Sequence, residues 1–443
     1  MKLSIEANGV YKPLWRTKKR YVIVMGGRGA GRSYEASQLI TAKLVQSTAL
    51  FRCAIMRAVH SDIRHSIWQE LCDRVRGWEL DSLFRMADST MELQHGRNSV
   101  NAHGFRKSSH ERTAKLKSLA GYTSAVIEEA EEAGEEEFRQ LDDSLRAEGS
   151  QIFLLLNTPA RSHWIIKRWF NIEPHAEAPG FYSIRLKPEA EKEVEFIHSS
   201  HLDNPYLAEA VHERYEGYRD LKPAYYWQMI RGLCPEVVMG RIYTGWREVS
   251  AVPHEARLLG RGLDFGFDPD PAAVIAVYYH NGGYILDEEV YAKRLTNEHL
   301  ATAIKLLPQR SAPIVGDSAE PKSIEELREY DVHVIPCQKG ADSVNFGIKH
   351  VQALKISYTA RSKNLKDEYE NYAWKRKKDS VEEDDHLGLE DPACANHAMS
   401  AARYFLTEMV KANADPEAEV RAGHEVERGR REHLSTARED AGL

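Results

Sequence analysis

The stretch Tyr21-Val22-Ile23-Val24-Met25-Gly26-Gly27-Arg28-Gly29-Ala30-Gly31-Arg32-Ser33 decides how the first half of this chain is read. Five apolar residues form a strand, and a glycine-rich turn follows at once. Beyond it, YEASQLITAKLVQ (34–46) carries apolar positions at helical spacing, which predicts a helix near 33–46. A glycine loop between a strand and a helix cradles phosphate. Glycines let backbone N–H groups turn inward, and the helix N-terminus adds partial positive charge. The nucleotide-binding candidates are therefore Gly26, Gly27, Arg28, Gly29, Ala30, Gly31, Arg32 and Ser33. Ser33 is placed to ligate Mg²⁺. Arg32 stands where such loops usually carry lysine, keeping the charge on a wider planar fork. Arg28 reads either as an arginine finger on the γ-phosphate or as a solvated loop residue.

Outward from the loop, FRCAIMR (51–57), SAVIE (124–128) and QIFLLLN (151–157) are further strands between amphipathic helices. That alternation predicts a mostly parallel sheet covered on both faces. SAVIE ends in Glu128, and Glu129 follows. A carboxylate at a strand end can hold the Mg²⁺ water shell, and the next can orient or deprotonate the attacking water. We assign Glu128 to metal and Glu129 to catalysis. By itself a double glutamate before AEEAGEEE (130–137) marks only a solvated helix start; the apolar strand before it is what raises its meaning. Asn157 and Thr158 leave the next strand, where they either sense the γ-phosphate and couple hydrolysis to movement or form an ordinary strand exit.

A second pattern begins near residue 259. GRGLDFGF (260–267), AAVIAVYYH (272–280), an NGG turn and GYILDEEVYA (283–292) read as an antiparallel meander. A helix near 296–307, a strand APIVGD (312–317), a helix after Pro321 and a strand DVHVIP (331–336) follow. This order is that of a ribonuclease H-like domain. Asp264 lies inside an apolar strand, where a bare carboxylate is costly unless paired or metal-bound. Asp317 ends a strand that this topology places beside it. Two convergent carboxylates suit Mg²⁺ or Mn²⁺, and two-metal sites cleave phosphodiesters. The closing helix, NHAMSAARY (396–404), presents His397, Ser400, Ala401 and Tyr404 on one face. His397 is a metal ligand, a proton shuttle or a satisfied surface histidine.

With 443 residues, the chain is long enough for two or three domains at about 150 residues each. We divide it into residues 1–200, a linker or small helical subdomain at 201–255, a domain at 256–408, and a charged, flexible tail at 409–443. No apolar run nears the roughly 20 residues that span a bilayer, and the N-terminus has no secretory h-region. Five cysteines without a C-x-x-C pair read as reduced thiols of a cytosolic protein. The net charge of −7 excludes a general basic coat and leaves local basic loops as nucleic-acid contacts. The candidates are Lys339, Lys375, Arg376, Lys377 and Lys378 beside Trp374, with Lys115 and Lys117, although charge runs are usually solvated faces.

Several stretches together carry a family resemblance. They are GGRGAGRSY (26–34), HGFRKSSHERTAKLKSLAGYTSAVIEEAEEA (103–133), LLLNTPARSHWIIKRWF (154–170), SSHLDNPYL (199–207), GLDFGFDPDPAAV (262–274), VGDSAEPKSIEELR (315–328), QKGADSVNFGI (338–348) and NHAMSAARYFL (396–406). In this order, over roughly residues 20–408, the chain resembles the large terminase subunit of tailed bacteriophages, in the group that includes the defective phage of Bacillus. The resemblance implies an α/β protein with an N-terminal P-loop (ASCE-type) packaging ATPase and a C-terminal ribonuclease H-like nuclease. It implies ATP with Mg²⁺ in the first domain and Mg²⁺ or Mn²⁺ in the second. It puts Arg32 and Ser33 at phosphate and metal, Glu128 and Glu129 in the acidic pair, Asn157 in the coupling motif, and Asp264 and Asp317 at the nuclease metals. Implied partners are double-stranded DNA, the portal protein and procapsid, a small terminase subunit, and further copies in a pentamer on the portal. There is no membrane partner. The implied location is the host cytoplasm rather than the mature virion.

Two departures stand out. Arg32 replaces the commoner lysine. The closing helix of the family usually reads N-H-x-x-D-A-x-R-Y, and Ser400 occupies the aspartate position here. Either Asp391, Asp268, Asp270 or His397 supplies the missing ligand, or the nuclease is weak. If position 400 is a vacated ligand, Ser400→Asp raises metal-dependent cleavage. The alternatives are a packaging-type ATPase with an inactive nuclease, a cellular P-loop helicase or repair ATPase with a scaffold domain, and a structural capsid-vertex protein. Cleavage separates the first, and unwinding without portal binding the second. The third requires both sets of carboxylates to be accidental.

Overall fold

The computed structural model describes residues 5–409 apart from 109–110, 113–118, 268–269, 339, 341, 377–385 and 392–393. The chain divides into two compact units. One comprises Met1–Gly240 with Lys375–Leu387 and Asp391–Ala393, the other Arg241–Trp374 with Gly388–Glu390 and Cys394–Leu443.

The strands of the first unit are β1 (Tyr21–Gly26), β2 (Arg52–Val59), β3 (Arg85–Ala87), β4 (Glu92–His95), β5 (Asn98–Ser108), β6 (Glu111–Arg112), β7 (Ser124–Glu128), β8 (Gln151–Asn157), β9 (Phe170–Pro174), β10 (Phe181–Leu186), β11 (Val194–Ser199) and β12 (Cys234–Pro235). The main sheet runs β11-β1-β8-β7-β2-β5-β4-β3, with β6 on β5. From β11 to β5 the pairings are parallel, and β4 and β3 extend the sheet antiparallel. Successive side chains of β1 point to opposite faces. Val22 and Val24 enter a core with Leu39 and Trp68, while Ile23 and Met25 enter another with Phe138 and Trp169. A strand buried on both faces must read as a continuous apolar run, and β1 and β8 do. Because β8 lies between β1 and β7, the glycine loop, Asn157 and Glu128 leave one edge of the sheet, where parallel sheets bind ligands.

The segment expected at 201–255 is divided between the two units, at Gly240 and Arg241. Residues up to Gly240 belong to the first unit, because the turn at 226–232 packs against the loop itself. A Cβ on Gly27 would lie 1.8 Å from the carbonyl oxygen of Ile230, so only glycine fits there. Arg28 N–H donates to Met229 O at 2.6 Å. Tyr225, Tyr226, Trp227 and Ile230 form their own cluster with Ala178, beside a small sheet β12-β10-β9. From Arg241 the chain is in the second unit, where Ile242 and Tyr243 join the core. Aromatic, proline-punctuated sequence looks irregular locally; its burial is tertiary and leaves no periodic signal. Of the proposed tail, only Met409 is described, as the last residue of a helix.

The second unit contains β13 (Arg247–Val249), β14 (Arg257–Asp264), β15 (Ala272–His280), β16 (Gly283–Ala292), β17 (Ile314–Gly316), β18 (Val334–Pro336) and β19 (Ile356–Thr359), in the order β13-β19-β16-β15-β14-β17-β18. The meander β14–β15–β16 is antiparallel, and β17 and β18 continue parallel to β14. This is the ribonuclease H-like arrangement, extended on the β16 side by β19 and β13. The helix His397–Met409 buries Ala398, Ala401, Ala402 and Phe405 in a core shared with Ala273 and Ile275.

Candidate active sites

The glycine loop ends at Gly31, whose φ of +83° puts it in the left-handed region at the N-cap of the helix Arg32–Gln46. The first N–H groups of that helix have no intrahelical acceptor and are available to an anion. Other elements hold the loop. Gly27 N donates to Ser199 O at 2.9 Å, Tyr11 Oη to Ala30 O at 2.8 Å, and Asn204 Nδ2 to Gly29 O at 2.7 Å.

Ser33 Oγ donates to Glu128 Oε1 at 2.6 Å, so two residues 95 positions apart meet. The other Glu128 oxygen accepts the N–H of Ile67 at 3.0 Å. A hydroxyl and a carboxylate are hard oxygen donors, and they fit a hydrated Mg²⁺. Glu129 has a left-handed backbone, with φ +49° and ψ +51°, and its carboxylate pairs with Arg57. Arg57, on β2, also lies 3.2 Å from Glu132, whose carboxyl burial raises while the Arg57 charge opposes the rise. Arg32 spans the loop. One arm of its fork reaches Gly27 O, and the other donates to Asn157 Oδ1 at 2.8 Å; burial pulls its pKa down. Asn157 in turn donates to Glu131, a carboxyl that burial pushes up to about 7.

Arg28 Nη1 stands 3.4 Å from Tyr225 Oη. Thr158, expected with Asn157 either in coupling or as a strand exit, directly follows the last residue of β8. It is buried, and its hydroxyl donates to Gly232 O at 2.7 Å, fastening the turn behind the loop. Arg57, Glu131 and Glu132 were not singled out from the sequence. Arg57 has no local motif, and the two glutamates were absorbed in a charged run.

In the second unit, Leu263 pairs with Gly316, so the next residues, Asp264 and Asp317, emerge side by side on parallel strands. Burial raises the Asp264 carboxyl, His397 opposes that shift, and the charge of Asp317 adds to it. His397 bridges, with Nδ1 3.0 Å from Asp264 Oδ2 and Nε2 3.5 Å from Asp270 Oδ1. Asp317 accepts Tyr404 Oη at 3.2 Å and Ala319 N–H at 2.7 Å. Glu368, also missed, caps the closing helix. It accepts the N–H groups of His397 and Met399, each at 3.0 Å, and Tyr291 Oη at 2.8 Å. Burial pushes this carboxyl up to about 7. A glutamate inside KNLKDEYEN gives no sequence sign of that duty.

Of the expected metal set of Asp264, Asp317, Asp391 and His397, the strand register brings Asp264 and Asp317 together. Among the described residues no group of three or more His, Cys, Asp or Glu side chains is arranged to hold a metal ion. Asp268 lies outside the described residues. His397 is engaged by two aspartates. Ser400 is buried and accepts Arg403 Nη2 at 3.2 Å, bringing no carboxylate. What remains is the pair Asp264–Asp317, which fits an ion that keeps most of its water, since Mg²⁺ is often held by one or two carboxylates. Of the basic candidates, Lys375 and Arg376 lie in a short strand, Trp374–Arg376. Lys115, Lys117, Lys339, Lys377 and Lys378 fall outside the described residues. Among the described residues no helix is long and apolar enough to cross a membrane.

Residues 18–233 match a family model described as phage terminase large subunit, and residues 264–408 match one described as terminase RNAseH like domain. The chain is 28% identical over 433 residues to the terminase large subunit of Bacillus phage SPP1, covering 91% of this chain and 96% of the relative. It is 24% identical over 442 residues to the PBSX phage terminase large subunit of Bacillus subtilis (strain 168), covering 93% and 96%. A solved large terminase from the thermophilic bacteriophage D6E is 19% identical, with a TM-score of 0.41, over 91% of this chain and 98% of that one.

Proposed function

Because the chain belongs to the phage terminase large-subunit family, with an ATPase domain and a ribonuclease H-like nuclease domain, we propose that it hydrolyses ATP to drive double-stranded DNA into a procapsid and cuts that DNA with a divalent ion. One observation supports both halves of the reading. In each unit, acidic or hydroxyl side chains far apart in sequence come together at the sheet's edge, Ser33 at a helix start with Glu128 at a strand end, and Asp264 with Asp317 at adjacent strand ends. In the first site, Ser33 and Glu128 hold Mg²⁺ with the nucleotide, Arg32 contacts its phosphates, and Glu129 orients the attacking water. In the second, Asp264 and Asp317 hold the ion, His397 fixes Asp264, and Tyr404 fixes Asp317. When bound, the divalent ion makes a water nucleophilic and offsets charge on the phosphate. DNA is gripped through its phosphates by Lys375 and the basic residues that follow it in sequence, in a salt-sensitive manner. The portal protein, the procapsid, a small terminase subunit and further copies in a pentameric ring are its partners in the host cytoplasm.

A second reading, a motor with a weak or inactive nuclease, is favoured by Ser400, which faces Arg403 and supplies no third carboxylate. Plasmid cleavage by the full chain with Mn²⁺ or Mg²⁺, beside its Asp264→Ala variant and an ATP hydrolysis assay, separates the two. Nicking and linearisation lost in the variant establish the nuclease. ATP hydrolysis without any cleavage leaves the motor alone.

A further inference from the structure

The hydrolysis chemistry leaves one carboxylate behind the glycine loop unused. Glu131 Oε1 accepts two bonds from a single residue, the backbone N–H of Asn157 at 3.2 Å and its Nδ2 at 2.9 Å. With the amide nitrogen committed to Glu131, the amide oxygen of Asn157 has to face the other way. There it accepts Arg32 Nη2 at 2.8 Å, while the second arm of the same guanidinium reaches Gly27 O. Glu131 Oε2 is buried and has no hydrogen-bond partner among the described residues.

We propose that Glu131 is a positioning residue that locks the amide of Asn157, so that Asn157 holds Arg32 over the loop as a reader of the terminal phosphate. The proposal rests on the ATP-hydrolysing reading above. A guanidinium has a fixed fork of donors, so two separate acceptors can aim it at once; an ammonium has no such fork. An Arg32 already aimed loses less side-chain entropy when a triphosphate arrives. The terminal phosphate oxygens then compete with Asn157 Oδ1 for the Nη2 arm. An unlocked amide would answer by flipping, and the event would end there. The locked amide cannot flip without breaking its Nδ2 bond to Glu131, so the loss of Arg32 is felt as displacement of the β8 end. Glu131 thus converts phosphate occupancy into a movement of the sheet edge.

The test is nucleotide binding to the full chain with Mg²⁺, comparing ADP with ATP-γ-S. Glu131→Ala should weaken ATP-γ-S by roughly tenfold, the scale of a hydrogen bond to a charged group. ADP affinity should stay within about threefold, which also reports that the variant is folded. Glu131→Gln keeps an oxygen for both Asn157 donors and should behave as wild type. Asn157→Asp sets two carboxylates face to face and should lose triphosphate preference. Adding Glu131→Gln should restore it, since the new amide donates to the new carboxylate. The lock is overturned if Glu131→Ala keeps the wild-type preference, or if Glu131→Gln loses as much as alanine. A wild-type chain that binds neither nucleotide removes the ATP reading, and the lock with it.

Discussion

The loop site and the aspartate pair face one problem, carboxylates crowded at strand ends, and answer it in opposite ways. In the first unit the chain brings its own guanidinium groups. Arg57 pairs with Glu129 and Glu132, and Arg32 reaches Glu131 through Asn157. In the second, the neighbours of Asp264 and Asp317 include an imidazole and a phenol. A cluster with built-in cations is balanced as it stands, and an arriving nucleotide must rearrange those pairs. Two adjacent carboxylates leaning on weaker partners gain most from a cation added from outside.

The largest expected effect is on stability against pH, through the capped carboxylate of the second unit. The carboxyl of Glu368 is raised by burial from 4.5 to about 7. The native state therefore binds this proton more tightly than the unfolded chain. The stabilisation is fully present below the unfolded value and is lost as pH rises toward the folded one, by up to about 1.4 kcal/mol per unit and ~3 kcal/mol in all. Thermal melting of the full chain should show its second-unit transition falling between pH 4.5 and 7. Glu368→Gln should flatten that slope. An unchanged slope in the variant would detach Glu368 from the effect.

Next is the cation itself. An ion binding only the folded second unit at a hundred times its dissociation constant adds about 2.7 kcal/mol. Mn²⁺ or Mg²⁺ without nucleotide should raise the melting of that unit, and Asp317→Asn should abolish the rise. Without the ion, Asp317→Asn should instead stabilise slightly, because it removes a charge facing Asp264. A metal-induced rise that survives the substitution would place the ion elsewhere and break the contrast.

Removing the built-in cation in the first unit should cost less. Stripping one partner from a fully buried ion pair costs about 3–5 kcal/mol. Here the Arg57 side chain is 5% exposed, but those of Glu129 and Glu132 are 41% and 40% exposed, so water takes over part of its work. Arg57→Ala should destabilise the first unit by about 1–2 kcal/mol after that screening. Urea denaturation would measure it, and a loss as large as the fully buried figure would show the carboxylates drier than this geometry.

What was legible in the sequence follows from the range of each contact. The glycine loop and Ser33 were readable because strand, turn and helix are contiguous, and Glu128, Asp264 and Asp317 because each closes an apolar strand. Glu131, Arg57 and Glu368 were not. Each acts on a residue brought to it only by folding, and each sits in sequence that looks like an ordinary charged surface or strand. The packing of the turn at 226–232 on the loop was not legible for the same reason: the need for glycine at position 27 is a close approach between distant segments. Strands β13 and β19 are too short to carry a period-2 signal, with three and four residues.

The smallest expected effect concerns Ser400, where sequence and structure point different ways. Read as a vacated ligand position, Ser400→Asp should strengthen metal binding and cleavage. The structure gives the new carboxylate a nearer claimant. Arg403 Nη2 already donates to Ser400 Oγ at 3.2 Å, and Arg403 Nε is buried with no hydrogen-bond partner among the described residues. Glu390, at 3.7 Å, is too far to satisfy the fork. A carboxylate at position 400 would turn to Arg403 and occupy its orphaned donor. The outcome should be a gain of at most ~1 kcal/mol in stability, with the pair's formation offset by desolvation of the new charge. Cleavage should stay within about threefold of the wild-type rate. A much larger rise, measured on plasmid with Mn²⁺, would mean that the new carboxylate reaches the ion past Arg403. The second site would then want a third charge, and its contrast with the self-balanced loop site would be sharper still.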